Sequence, residues 1–208
     1  MSFNEVKKNT FVFEKENALE DDVCDRIIKE FQESPHKRPG VSGSGRNPLI
    51  KNSTDLTTAE GGLDELDKIL YENLNKHLRE LADVCPSFSK YVLIAGGPIS
   101  DKGYQIQWTK KGDLCFVPHC DNTAWNDDDT IGRNLVYLWY LNDVEKGGGT
   151  NFPQLGIKVK ARKGKLILFP PYWTHEHEGV IPKSGDKYIV TGWLCYDRNV
   201  KEEQPNVM

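Results

Sequence analysis

Apolar and polar positions change period partway along the chain, and the change divides the expected fold. Val23, Ile27, Ile28 and Phe31 recur at helical spacing, with Glu20, Asp21 and Asp22 ahead of them. Acids at the start of such a stripe complement the helix dipole, so an amphipathic helix is predicted over about 19–33, with Asn17 as a candidate cap. Leu63, Leu66, Ile69, Leu70, Leu74, Leu78 and Leu81 keep one face and predict a second helix over about 63–83. His77 lies beside that stripe and reads as structural. Phe11-Val12-Phe13 is a candidate first strand, and Lys51 to Leu56 an extended stretch.

From about residue 88 onward the period shortens to two. Strands are predicted at Tyr91–Ala95, Tyr104–Trp108, 114–121, Leu135–Leu141, Ile157–Val159, Lys165–Phe169, His175–Val180 and Lys187–Tyr196. Turn residues part them at Lys111-Gly112-Asp113, Gly147-Gly148-Gly149, Lys163-Gly164 and Pro170-Pro171. Helices first and strands after predict an α+β, mainly β fold: a double-stranded β-helix, or jelly roll, backed by N-terminal helices. The expectation for 208 residues is one domain, 1–208, with helical support over about 17–85 and a jelly-roll core over about 88–198. Two polar segments without an apolar period, 34–48 and 122–133, are expected to flank a site mouth.

Composition removes several function classes. A net charge of -4 gives no overall basic field for nucleic acid. No apolar run is long enough for a membrane span, and Met1 to Lys8 lacks the apolar centre of a signal peptide. The five cysteines are odd in number and contain no CxxC pair, which argues against a disulfide framework. A reducing, cytoplasmic setting is the expectation. Cys115 and Cys120 flank the residues considered next and read as small core or surface residues rather than zinc ligands.

The chemistry concentrates at His119-Cys120-Asp121. Alternate side chains of an extended strand share a face, so His119 and Asp121 are expected to point together. With His177 from a later strand they would make a two-histidine, one-carboxylate facial triad. Such a triad leaves three octahedral positions open and suits non-haem Fe(II). His-x-Asp alone is a weak signal, and the last strand adds to it. Lys187, Ile189, Thr191, Trp193 and Cys195 share one face there. A lysine projecting into a metal-bearing cavity can hold a carboxylate as a point charge. Trp193 reads either as core packing or as pocket lining.

Taken in order, these motifs resemble the Fe(II)/2-oxoglutarate dioxygenases, and within them the prolyl 4-hydroxylase-like family. The resemblance runs through Pro118-His119-Cys120-Asp121, Tyr140-Leu141-Asn142-Asp143 and Gly147-Gly148-Gly149-Thr150-Asn151-Phe152-Pro153. It continues through Val159, Lys163-Gly164, Leu166 to Phe169, His177-Glu178-Gly179, Gly185-Asp186-Lys187-Tyr188 and Trp193. The N-terminal half fits more loosely. The resemblance implies that His119, Asp121 and His177 bind Fe(II) and are catalytic. His177 is implied rather than His175, because His-Glu-Gly and the spacing to Lys187 follow it. It further implies that Lys187 pairs with the distal carboxylate of 2-oxoglutarate and that Tyr140 hydrogen-bonds near it. O2 would be the second co-substrate, and ascorbate is a candidate reductant. The implied reaction couples decarboxylation of 2-oxoglutarate to hydroxylation, with a prolyl residue of a peptide or protein as the expected substrate. Another amino-acid side chain or a small molecule is one alternative; a jelly-roll metal-binding or sensor protein without turnover is another. Substrate contacts are expected at Trp193, Trp108 and Asn122. Two departures stand out: many relatives carry an acid at the position of Gly149, and a tyrosine where Trp108 or Thr109 stands. Nothing in the pattern reads out an oligomeric state.

Overall fold

Both predicted helices form where their apolar stripes lie. The structure, a computed structural model, describes residues 2–43, 45–94, 99–122 and 132–196. Helix α1 (Asp21–Glu33) buries Cys24, Ile27 and Phe31 and carries Asp21 and Asp22 in its first turn. Its cap position is Glu20, without a side-chain cap bond, so Asn17 is not the cap. Asn17 instead turns the chain at φ 51. The N–H groups of Ala18 and Leu19 then donate to the Gly164 carbonyl at 2.7 and 3.0 Å. Helix α2 (Asp64–Val84) buries Leu66, Leu70, Leu74, His77, Leu78 and Leu81. His77 is structural: its Nε2 lies 2.8 Å from the Ala18 carbonyl and its Nδ1 3.0 Å from Glu80.

The strands in chain order are β1 (Asn4–Glu5), β2 (Phe13–Lys15), β3 (Arg38–Pro39), β4 (Thr54–Thr57), β5 (Ile99–Asp101), β6 (Gln105–Thr109) and β7 (Phe116–His119). They continue with β8 (Arg133–Tyr140), β9 (Thr150–Phe152), β10 (Ile157–Val159), β11 (Leu166–Phe169), β12 (His177–Gly179) and β13 (Lys187–Tyr196). The larger sheet has the order β1-β2-β11-β8-β13-β6-β4-β3, with β5 beside β13; the smaller is β10-β9-β12-β7. Every pairing is antiparallel.

Strand β8 shows how the period of two builds the fold. Its Val136, Leu138 and Tyr140 join Phe152, Ile167, Phe169 and Ile189 in a core between the sheets. Its Leu135, Tyr137 and Trp139 join Ile27, Phe31, Leu66, Leu70 and Leu74 in a second core under the helices. The result is the expected mainly β fold, two antiparallel sheets backed by helices.

Four local expectations are corrected. The strand expected at Phe11-Val12-Phe13 begins only at Phe13 and is the second, after β1, because Phe11 takes a φ of 55 that breaks extension. Ser89–Ile94 is a π-helical turn, not a strand. It follows a short helix begun by Pro86, and Tyr91 and Ile94 are exposed with no sheet to pair with. An apolar run this short does not separate strand from helix by pattern alone. Strand β7 ends at His119, two residues before Asp121. Strand β9, hidden behind the glycine turn, was not anticipated by pattern.

The glycine turn between β8 and β9 has no room for side chains. Gly147 and Gly148 both take φ 75, and a Cβ on Gly147 would stand 1.9 Å from the Ile181 carbonyl oxygen. A Cβ on Gly149 would stand 2.1 Å from the Val159 carbonyl oxygen, which accounts for the missing acid. Gly147→Ala is expected to destabilise the protein by at least about 1–2 kcal/mol from the left-handed backbone alone. A denaturation midpoint equal to wild type would show that the turn can yield.

Candidate active site

Strands β7 and β12 bring the two histidines together. Their antiparallel register sets His177 directly opposite His119, and the ring centroids are 4.3 Å apart. Asp121 arrives by a different route from the one its spacing suggests. It lies beyond the strand end, and its N–H donates to the Pro171 carbonyl at 3.0 Å. Its carboxylate nonetheless reaches both rings, with Oδ1 3.7 Å from His119 Nε2 and Oδ2 3.5 Å from His177 Nε2. The three ligand atoms lie within 4.8 Å of one another, and among the described residues this is the group that could hold a metal.

The hydrogen bonds behind the rings decide which nitrogen is available. His119 Nδ1 lies 2.8 Å from the Val117 carbonyl, and His177 Nδ1 lies 3.0 Å from the His175 carbonyl. A carbonyl only accepts, so each Nδ1 carries a proton, and in the neutral ring each Nε2 keeps its lone pair. Burial, assisted by the neighbouring His177, pushes His119 down to about 4, so its ring is neutral near pH 7. Neutral imidazole is the form that binds a metal. Phe116 stacks on His119 at 3.7 Å and Phe169 meets His177 edge-on at 4.8 Å, which fixes both rings. Two open Nε2 lone pairs and one carboxylate form a donor set that fits Fe(II). His175 does not join them: its Nε2 lies 2.7 Å from the Thr10 carbonyl and its Nδ1 2.9 Å from Thr174 Oγ1. It acts on the cluster through its backbone carbonyl.

A cavity of about 600 Å³ opens beside the cluster, between the sheets. Lys187, at the start of β13, lines it and is 4% exposed. Burial lowers its pKa, and no carboxylate pairs with it among the described residues. Its register partner Thr109 and the nearby Thr150 also line the cavity. Tyr140 sits one layer deeper, with its ring 5.6 Å from Lys187 Nζ and its hydroxyl 2.6 Å from Thr150 Oγ1. It reaches the cavity through Thr150.

The three expected substrate residues separate. Trp193 lines the cavity. Trp108 does not: it lies on the other face of β6, donates to Asp186 at 2.9 Å and stacks on Tyr188. The cavity-facing residues of β6 are Gln105, Gln107 and Thr109. Asn122 is occupied in holding the Arg133 carbonyl at 2.9 Å and is not part of the lining. Residues the pattern did not single out are Gln105, Gln107, Lys51 and Arg133. Arg133 stacks 3.7 Å from the Trp193 ring centroid and donates to the Asp121 carbonyl at 3.1 Å. Of the 34–48 loop, Val41, Ser42 and Gly43 line the cavity, while Ser44 is outside the described residues. The 122–133 loop lies outside them over 123–131.

The fold and the site together are two antiparallel sheets backed by helices that enclose a two-histidine, one-carboxylate cluster. Residues 105–195 match the 2OG-Fe(II) oxygenase superfamily, a span that holds the histidine–aspartate cluster and Lys187. The family resemblance of the motifs is thereby borne out. Over 189 residues the chain is 25% identical to procollagen-lysine,2-oxoglutarate 5-dioxygenase 1 of Gallus gallus, covering 84% of this chain and 22% of that protein. Over 103 residues it is 28% identical to prolyl 4-hydroxylase subunit alpha-1 of Gallus gallus, covering 43% and 20%. The chain therefore spans about a fifth of the length of these relatives. Among solved structures, a viral collagen prolyl hydroxylase of Paramecium Bursaria Chlorella virus-1, in its 2OG complex, gives a TM-score of 0.64 at 23% identity, covering 93% of this chain and 100% of that one. A Trichoplax adhaerens prolyl hydroxylase in complex with a hypoxia inducible factor peptide fragment gives 0.68 at 17% identity, covering 90% and 84%. At these identities the likeness is one of fold. No helix among the described residues is long and apolar enough to cross a membrane, and all five cysteines are free.

Proposed function

We propose that the chain is an Fe(II)- and 2-oxoglutarate-dependent dioxygenase that hydroxylates prolyl residues of a peptide or protein, residues 1–208 acting as one domain. The observation that carries this is Lys187, a buried ammonium that shares a cavity with the His119, Asp121 and His177 cluster and has no carboxylate partner among the described residues. An unpaired buried charge costs several kcal/mol. A dicarboxylate with one end at the cluster and the other at Lys187 offsets that cost.

On this reading His119 Nε2, the Asp121 carboxylate and His177 Nε2 hold Fe(II). Iron with 2-oxoglutarate supplies the activation of O2 and the transfer of one oxygen atom to substrate. The protein's own groups do the rest. The Val117 and His175 carbonyls keep both Nε2 lone pairs turned to the metal position. Lys187 neutralises the far carboxylate, with Thr109 and the Thr150–Tyr140 pair offering hydroxyls beside it. Phe116, Phe169 and Ile189 keep water from the reacting end. Trp193 lines the substrate side, and ascorbate is a candidate reductant.

A prolyl substrate is supported by the shared fold of the two prolyl hydroxylase structures. The same chemistry on a lysyl side chain is the second reading, favoured by the larger share of this chain that the procollagen-lysine relative covers. The test is succinate formation with and without Fe(II), followed by peptide arrays read for a mass gain of one oxygen. Iron-dependent succinate and modified proline peptides are expected. Modification confined to lysine peptides would select the second reading. An iron-loaded protein that forms no succinate would leave only a metal-binding role.

A further inference from the structure

The cavity wall built by the larger sheet is polar where an apolar sleeve would suffice for a small ring. Strand β6 turns Gln105 and Gln107 to the cavity, both half-buried. Gln107 Nε2 donates to Gln105 Oε1 at 2.6 Å. That bond uses one N–H and one lone pair. It leaves the NH2 group of Gln105 and the carbonyl of Gln107 side by side, and turning both amides over together preserves such a set.

The neighbours on the sheet do not use these groups. Asp55, the β4 partner of Gln107, is taken up by Lys51 at 2.6 Å and Ser53 at 2.7 Å. Thr191, the β13 partner of Gln105, donates to the Tyr137 carbonyl at 3.0 Å. On the same cavity, Trp193 Nε1 is buried with no hydrogen-bond partner among the described residues. Buried donors are nearly always paired, so the occupant of this cavity is expected to bring hydrogen-bonding groups of its own.

We infer that the Gln105–Gln107 pair is a substrate clamp that reads the main-chain N–H and carbonyl of one residue of a peptide, next to the residue that is hydroxylated. The inference rests on the oxygenase reading above and deepens it. One residue of an extended peptide turns its N–H donor and its carbonyl acceptor to the same side, the complement of the two free groups. A proline nitrogen carries no hydrogen, so with a prolyl target the N–H read belongs to a neighbouring residue. A free amino acid has no such neighbouring residue, which makes the substrate a peptide chain.

The test uses a pool of N-acetylated, C-amidated hexapeptides with a central proline, and matched pools in which one main-chain amide at a time is an ester. An ester lacks the N–H and is a weaker acceptor. Gln107→Leu is expected to raise the apparent peptide KM about ten-fold with a much smaller change in kcat. Wild type should lose a similar factor on the ester at one position, and Gln107→Leu should lose nothing more there. A merely structural role would leave Gln107→Leu as sensitive to the ester as wild type. An unchanged KM in Gln107→Leu, or a full further loss on every ester, overturns the clamp. A wild type that forms succinate but modifies free proline and no peptide overturns it while leaving the oxygenase reading standing. Absence of succinate in wild type removes that reading and the clamp with it.

Discussion

His177→Ala is expected to abolish iron-dependent turnover of 2-oxoglutarate. The substitution removes one of three ligand atoms that lie within 4.8 Å of one another and leaves His119 with Asp121 alone. Disturbing only the groups that orient a ligand typically costs 10–100-fold in metal affinity, and losing the ligand itself costs more. Asp121→Ala should behave likewise. The informative control is His175→Ala. The His175 ring bonds to the Thr10 carbonyl, whereas its own carbonyl, which holds His177, survives the change. That variant should lose stability, by about 1–3 kcal/mol for the stranded carbonyl, and retain iron binding. Calorimetry of Fe(II) binding without oxygen, with succinate measured in parallel, checks all three. Iron binding lost in His175→Ala but kept in His177→Ala would exchange the two assignments.

Lys187→Ala is expected to raise the 2-oxoglutarate requirement by roughly ten- to a hundred-fold. A hydrogen bond to a charged group is worth about 1.5–3 kcal/mol, which converts to that range. Lys187→Arg should not restore affinity, because a planar fork needs room that the Tyr140 ring, 5.6 Å from the ammonium, and Thr109 deny it. The pH dependence has a definite sign. Burial lowers the Lys187 pKa, so the empty site loses its ammonium below the ordinary lysine range. Only the charged form attracts a dianion, so affinity should fall as pH rises through that lowered pKa. A 2-oxoglutarate KM unchanged in Lys187→Ala would move the anchor elsewhere.

Which parts of the site were legible in the sequence follows from how each residue is positioned. Lys187, Ile189, Thr191 and Trp193 alternate along one long strand, and the period of two places all four on the cavity without further knowledge. Asp121 was legible only by its spacing. The strand stops at His119, and the Pro171 carbonyl from a distant segment sets the carboxylate in place. The expectation for Trp108 misses the cavity by one residue of register, since its neighbours Gln107 and Thr109 face it. Burial favours tryptophan inside, and Trp108 is inside, but against the helical core rather than the cavity. Tyr91 to Ile94 carries the composition of a strand, yet the sheet offers it no partner. The pairing of His177 with His119 is a long-range register that no local pattern encodes.

The most direct measurement is a crystal structure of the protein grown without oxygen in Fe(II) and 2-oxoglutarate. The expected result is iron bonded to His119 Nε2, Asp121 and His177 Nε2, with 2-oxoglutarate beside it and its far carboxylate on the Lys187 ammonium. Iron bound away from these three side chains, or a far carboxylate seated on Lys51 or Arg133 instead, would contradict it.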